Sequence, residues 1–269
     1  MSPLTLAEAV AAIEQLYPLA TAQSWDRVGL VTGDPTQPVR RIHLAVDPTL
    51  AVIDEARDLG ADLLLTHHPL LLRGVHSVAT TFAKGASVTH LIVADIALYV
   101  AHTNADVAVR GVSAALADAC GLVGATPLAI EEGQPMGRVG DLGQPLTLGE
   151  FAARVADALP RAPGGIRVSG DPAALIGRVA VLGGAGDGLF GAVRASGADV
   201  YVTADLRHHP ALEAREEARG GPPYLIDAGH WASESLWLRY AAADLAARLP
   251  DDVEIHLSSI CTDPWSFVI

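Results

Sequence analysis

Three short apolar runs in this chain end in residues that bind metal ions well. Leu63–Thr66 leads into His67-His68-Pro69, and Ile96–Ala101 leads into His102-Thr103-Asn104-Ala105-Asp106. Tyr224–Ala228 leads into Gly229-His230, with Glu234 four residues further on. Neutral imidazole nitrogen and carboxylate oxygen are borderline and hard ligands that suit Zn, Fe, Mn, Co or Ni. No cysteine stands near these segments, so a structural thiolate zinc site does not fit. His230 and Glu234 are at i and i+4, and they project from one face if a helix begins near Gly229. His67 and His68 are adjacent, and side chains of an extended chain alternate faces, so the pair reaches one ion poorly but can serve two. Five ligands shared by two divalent ions leave positions open to water, which is a catalytic rather than a structural pattern. One histidine at a strand end is more often capped or solvated; the coincidence of three such ends carries the metal reading.

Positioning these residues requires strands whose carboxyl ends converge, because ligand sites of open α/β sheets lie beyond those ends. Thr5-Leu-Ala-Glu8 reads as a capping box, and Leu6, Val10, Ile13 and Tyr17 follow at helical spacing, which predicts a helix over 5–17. Ile42–Val46 and Asp62–Thr66 read as strands around a helical Leu50–Leu59. Val-, Ile- and Leu-rich strands separated by helices predict an α/β fold with a mainly parallel sheet. The segment Gly124–Gly149 is rich in Gly and Pro and reads as an irregular connection; it closes on a second capping box, Thr147-Leu-Gly-Glu150. Beyond it the chain resembles its own first half. Arg178, Arg194, Gly197, Ala198, Asp199 and Thr203 repeat Arg41, Arg57, Gly60, Ala61, Asp62 and Thr66 at one constant offset, and both copies reach a His-His-Pro triplet. The expected architecture is two similar α/β lobes from an internal duplication, with the metal site in the cleft between them. The expected divisions are a lobe over 1–123, a connection with one helix over 124–172, and a lobe over 173–269.

Composition narrows the class. Among 269 residues, 18 Lys and Arg stand against 31 Asp and Glu, a formal charge of −13, and half the residues are hydrophobic. Too few cations exist to replace counterions on phosphates, which argues against a nucleic-acid or anionic-membrane partner. Two cysteines fit a reducing cytoplasm, and no basic-then-apolar leader or membrane-spanning run is visible.

The motifs together make the chain resemble the GTP cyclohydrolase 1 type 2 homologue family, also described as dinuclear-metal-centre hexameric proteins or relatives of Ngg-interacting factor three. Trp25-Asp26-Arg27-Val28-Gly29-Leu30 with Gly33-Asp34 resembles its opening motif; LTHHPL (65–70), HTNAD (102–106) and GHWASE (229–234) resemble its three metal motifs. The resemblance implies two divalent ions per chain. His67 and Asp106 would hold the first, His68 and His230 the second, and Glu234 would bridge them. It also implies a two-lobed α/β fold, a homohexamer, and metal-dependent hydrolysis of a nucleotide-like or phosphorylated small molecule. A non-catalytic metal-binding ring, regulatory or metal-buffering, needs the same ligands and stands as the alternative.

Proton transfer would fall to His102, Asp205 or His209. If a helix starts at Asp205, then Asp205, His208 and His209 share a face and line the cavity. His102 could equally orient Asp106 or a water. Asp26 and Asp34 read as turn caps, Trp231, Trp237 and Tyr240 as core, and Cys120 as a small buried apolar residue. Gly186-x-Gly188-x-x-Gly191 matches a dinucleotide fingerprint, but the helix after it would be short, so nicotinamide binding is not expected.

Overall fold

The chain enters its first helix, α1 (Leu6–Leu16), through the expected capping box: the Glu8 N–H donates to the Thr5 hydroxyl, and the Glu8 carboxylate accepts the Thr5 N–H at 2.8 Å. The same exchange between Thr147 and Glu150 opens α6 (Leu148–Ala158). The computed structural model describes residues 3–269. The chain divides into two compact units, one running to Ala108 and completed by Leu238–Thr262, the other Val109–Trp237 with Asp263–Ile269.

In the first unit, α1 leads through a 3-10 turn (Leu19–Thr21) to β1 (Gly29–Thr32), β2 (Arg41–Ala45), α2 (Leu50–Asp58), β3 (Leu63–Thr66), α3 (Ala83–Val93), β4 (Ala97–Val100) and α4 (Thr103–Asp106). One five-stranded sheet results, in the order β1-β4-β3-β2-β13, where β13 (Glu254–Leu257) comes from the far end of the chain. Four strands are parallel, and β1 closes the edge antiparallel to β4. Leu63, Leu64 and Leu65 are all buried, as strands covered on both faces must be. Val52, Ile53, Leu91 and Leu98 pack on one face as helices α2 and α3 close over it.

The second unit holds α5 (Val112–Ala119), β5 (Leu122–Thr126), β6 (Ala129–Glu131), β7 (Gln134–Met136), β8 (Arg138–Thr147), α6, β9 (Arg167–Ser169), β10 (Leu175–Ala185), α7 (Phe190–Ser196), β11 (Val200–Ala204), α8 (His208–Glu217), β12 (Tyr224–Asp227) and α9 (His230–Ser235). Its six-stranded sheet runs β5-β8-β10-β11-β12-β9. Only β10, β11 and β12 are mutually parallel; β5, β8 and β9 pair antiparallel, so this sheet is mixed rather than mainly parallel. The cause lies in Gly124–Gly149. Its composition suggested an irregular connection, but it forms the β6–β7 hairpin and the long strand β8, which lines up against β10. The chain then runs through α10 (Trp237–Ala246) to β13.

The repeated residues do the same work in each unit. Asp62 Oδ2 accepts the N–H groups of Arg40 and Arg41 at 2.7 and 2.9 Å; Asp199 Oδ2 accepts those of Gly177 and Arg178 at 2.8 Å each. Gly60 and Gly197, with φ of 66° and 69°, turn the chain out of α2 and α7 in the left-handed conformation that glycine adopts without cost. The likeness of sequence therefore extends to the hydrogen bonds of a strand–helix–strand segment.

His43 on β2 is buried, and its Nε2 lies 2.9 Å from Glu55 Oε2. Burial lowers its pKa below the ordinary 6.5, more than the neighbouring Glu55 carboxylate raises it. Below that ordinary value the unfolded chain binds the proton more tightly than the folded one, so His43 makes stability fall as pH falls. His43→Gln is expected to flatten the pH dependence of urea unfolding between about pH 7 and 5; an unchanged slope would show that other groups set it.

Candidate metal centre

In the first unit, β3 delivers His67 and His68 directly off its carboxyl end. Their backbone N–H groups still donate to Ala45 and Val46, which extends the β2–β3 pairing past the strand proper. His67 is fully buried, and its Nδ1 lies 3.0 Å from the Ala101 carbonyl. A carbonyl can only accept, so Nδ1 carries the proton and the lone pair of the neutral ring sits on Nε2. That Nε2 is 3.6 Å from Asp106 Oδ1. His68 Nδ1 is 2.7 Å from Asp47 Oδ1, and His102 Nδ1 is 2.9 Å from Asp26 Oδ1, so both rings likewise present Nε2 as the electron-pair donor. The three rings have centroids 5.0–5.4 Å apart, and each offers a ligand atom within 4.8 Å of the other two.

The second metal motif of the sequence is a scaffold in itself. Asn104 accepts the His102 N–H through Oδ1 and donates to the Tyr17 carbonyl at 2.8 Å. Thr103 donates to Asp26 through both its N–H and its hydroxyl. Asp106 ends the single turn of α4 that these contacts hold. Asp26 is therefore not a turn cap, as its position in a loop had suggested; Asp34 is one, accepting the Thr36 N–H and hydroxyl at 2.8 Å. Burial works to raise the Asp26 carboxyl, but the His102 and Thr103 donors outweigh it and hold the group ionised well below the usual carboxylate range. Asp26→Asn is expected to cost about 1–3 kcal/mol, since an amide cannot accept all of these bonds in a buried site. Urea unfolding measures that loss, and nitrogen NMR of the imidazoles should show His102 losing its single tautomer; a retained tautomer would remove Asp26 from the role of orienting the ring.

In the second unit, His230 opens α9 and Glu234 follows one turn later, with His230 Nε2 3.0 Å from Glu234 Oε1. The expected i, i+4 projection is therefore realised. His230 Nδ1 is 2.8 Å from Asp205 Oδ2, so each of its two ring nitrogens faces a carboxylate. Glu234 is buried against β10, where Gly184 has a φ of 72° and where a β-carbon would run into the Glu234 carboxylate and sit 3.3 Å from His230 Nε2. Ser233 ties the two elements together: its hydroxyl accepts the Gly184 N–H at 3.0 Å and donates to the His230 carbonyl at 2.8 Å.

In all four imidazoles Nδ1 is held by a carboxylate or carbonyl oxygen, and Nε2 is directed elsewhere, toward Asp106 in His67 and toward Glu234 in His230. Metal-binding histidines are characteristically held this way, because the second acceptor fixes tautomer and direction and raises ligand basicity. Together with Asp106 and Glu234, the donor set fits borderline divalent cations. Among the described residues neither candidate metal cluster includes a cysteine, and burial pushes the Cys120 thiol up to about 12.

The positions expected to move protons differ among themselves. His102 lies in the three-histidine group. Asp205 has a φ of 52°, outside α8, so it does not share a helical face with His208 and His209; the helix starts at His208, and Asp205 turns to His230 instead. His209 is exposed, and among the described residues its one contact of note is edge-to-face with His208 at 5.1 Å. Arg207 pairs with Asp187 in the glycine-rich turn, where Gly186 lies against Thr203 and Tyr201 and the following α7 is only seven residues long. Sequence reasoning missed Asp47, which stands just past β2 as His67 stands past β3; a carboxylate at the carboxyl end of a neighbouring parallel strand was the available signal.

No helix among the described residues is long and apolar enough to cross a membrane. The family model Duf34/NIF3 (NGG1p interacting factor 3) matches residues 4–264. A protein of Streptomyces coelicolor named GTP cyclohydrolase 1 type 2 homolog is 50% identical, over 97% of this chain and 93% of its own. Among solved structures, Staphylococcus aureus hypothetical protein SA1388 superposes with a TM-score of 0.90 at 28% identity, covering 99% of this chain and 100% of that one. Reduced HcgD from Methanocaldococcus jannaschii gives 0.80 at 30% identity, covering 96% and 98%.

Proposed function

Because the chain belongs to the Duf34/NIF3 family, we propose that it is a dinuclear divalent-metal protein, a metal-dependent hydrolase of a nucleotide-like or phosphorylated small molecule. As the resemblance implies, His67 and Asp106 would hold one ion and His68 and His230 the other, with Glu234 serving both. The observation that supports this most is the shared arrangement of the imidazoles, each with Nδ1 held by an oxygen, which fixes the direction of Nε2. When bound, such ions supply Lewis-acid polarisation of a substrate oxygen and acidify water. Asp47 orients His68, and Asp205 orients His230. His102, aligned by Asp26, exchanges a proton at Nε2. Asp205 is better suited to holding His230 than to moving protons, and the exposed His209 stays a candidate for proton transfer with substrate. The homohexamer implied by the resemblance belongs to the same proposal.

The family's name, NGG1p interacting factor 3, refers to a protein interaction and not to a reaction, which favours a second reading: a metal-holding ring that regulates or buffers. Elemental analysis of protein purified without chelators or a His tag decides the metal question. About two transition-metal ions per chain are expected, lost in Glu234→Ala; fewer than about 0.2 per chain after reconstitution with Zn, Mn, Fe, Co and Ni would overturn the centre. Turnover of GTP and other phosphorylated compounds then separates the readings. Loss of the ions in His68→Ala with every activity unchanged would leave the non-catalytic one.

A further inference from the structure

Within the second unit, α8, β9 and β12 enclose a pocket of about 350 Å³ whose chemistry the metal centre does not use. That volume lies at the lower end of the roughly 300–1,000 Å³ usual for small-molecule sites. Its walls are largely aliphatic, with Leu206, Leu212 and Leu225 among them. Two arginines, one carboxylate and His208 line it, and the arginines are not equivalent. Arg167 is paired with Asp227 at 2.5 Å, so its charge is compensated. Asp227 is further held in place by the N–H groups of Leu206 and Gly229.

Arg215 differs. Its guanidinium is half-buried and donates to the carbonyls of Gly221 and Pro223 at 2.8 and 2.5 Å, and it lies over the Tyr224 ring at 5.2 Å. Among the described residues no carboxylate pairs with it. Main-chain carbonyls fix a guanidinium in direction without cancelling its charge. An oriented cation without a carboxylate partner beside an aliphatic wall selects a ligand of opposite sign. We propose that this pocket binds a small organic anion, with its charged group on Arg215 and a compact apolar body against Leu206, Leu212 and Leu225.

A carboxylate and a phosphate monoester present the same charge and acceptor oxygens, so benzoate and phenyl phosphate serve as the two probes, with benzyl alcohol as the neutral control. Calorimetry on the full chain is expected to show at least one anion binding with a Kd of about 1 mM or tighter and the alcohol at least about tenfold weaker. The anion that binds more tightly identifies the headgroup. Arg215→Gln should weaken that anion by about tenfold or more, whereas Arg167→Gln, whose charge Asp227 already answers, should change it less than about threefold. Leu212 is half-exposed, so Leu212→Trp fills the pocket without entering the core, and it should abolish binding even if Arg215→Gln fails to fold. Binding should persist in Glu234→Ala, which separates this site from an anion caught by bound metal. Equal affinity for the alcohol, no anion binding tighter than about 10 mM, or affinity unchanged in both pocket variants would overturn the proposal.

Discussion

Gly184→Ala is expected to strip the protein of metal as completely as Glu234→Ala, although it removes no ligand. The added methyl group has nowhere to go. At a φ of 72° any side chain costs of order 1 kcal/mol in backbone strain, and the β-carbon would occupy space already held by the Glu234 carboxylate. Glu234 cannot retreat, because it is buried and fixed on α9 by the same turn that carries His230. Nor can β10 yield freely, since the Gly184 N–H is tied to the Ser233 hydroxyl and its carbonyl accepts the Thr203 hydroxyl at 2.9 Å. The carboxylate must therefore rotate out of line with His230 Nε2. Elemental analysis should find less than about a tenth of the wild-type metal, with unfolding free energy lower by about 1–3 kcal/mol. Wild-type metal content in a folded Gly184→Ala protein would show that Glu234 does not ligate through the oxygen that faces this glycine.

The largest loss of stability is expected from Phe151→Ala. Phe151 is fully buried on α6, where it belongs to a core with Leu116, Leu148, Val155, Val179 and Val181. Deleting a buried phenyl ring removes its transfer free energy and leaves a cavity that a close-packed surround cannot refill, about 3–5 kcal/mol in all. That is a large part of the 5–15 kcal/mol, or about that, by which domains are stable. Urea unfolding should shift its midpoint down accordingly, and fluorescence and circular dichroism should agree if the unfolding is a single transition. A loss below about 1 kcal/mol would mean that the α6 core collapses around the missing ring.

What could be read from the residues and what could not divide along the range of the interactions. Capping boxes and the i, i+4 pair His230–Glu234 are local, and a few residues of sequence suffice to specify them. The three strand-end motifs were legible because strands of this composition put their carboxyl ends where ligands gather. The orienting carboxylates were not. Asp26 reaches His102 across most of the first unit's chain, and Asp205 reaches His230 from the turn after β11; both residues stood out in the sequence, but nothing in their immediate neighbours names the histidine each one holds. Several strands escaped, and β8 and β13 show a related reason. β8 carries two Gly and one Pro, and its strand state comes from pairing with β10, while β13 is a short run whose partner β2 lies at the other end of the sequence.

That last pairing bears on the order in which the protein is made. β2, β3 and β4 leave the ribosome early, but the edge of their sheet stays open until Glu254–Leu257 has been synthesised. Residues 109–237, by contrast, contain every strand of the second sheet. Translation therefore completes the later unit's sheet before the earlier one's, and the nascent first sheet must wait with an unpaired strand edge, the kind of surface on which chains aggregate. A stalled or prematurely ended synthesis therefore leaves β2 as an unpaired edge strand.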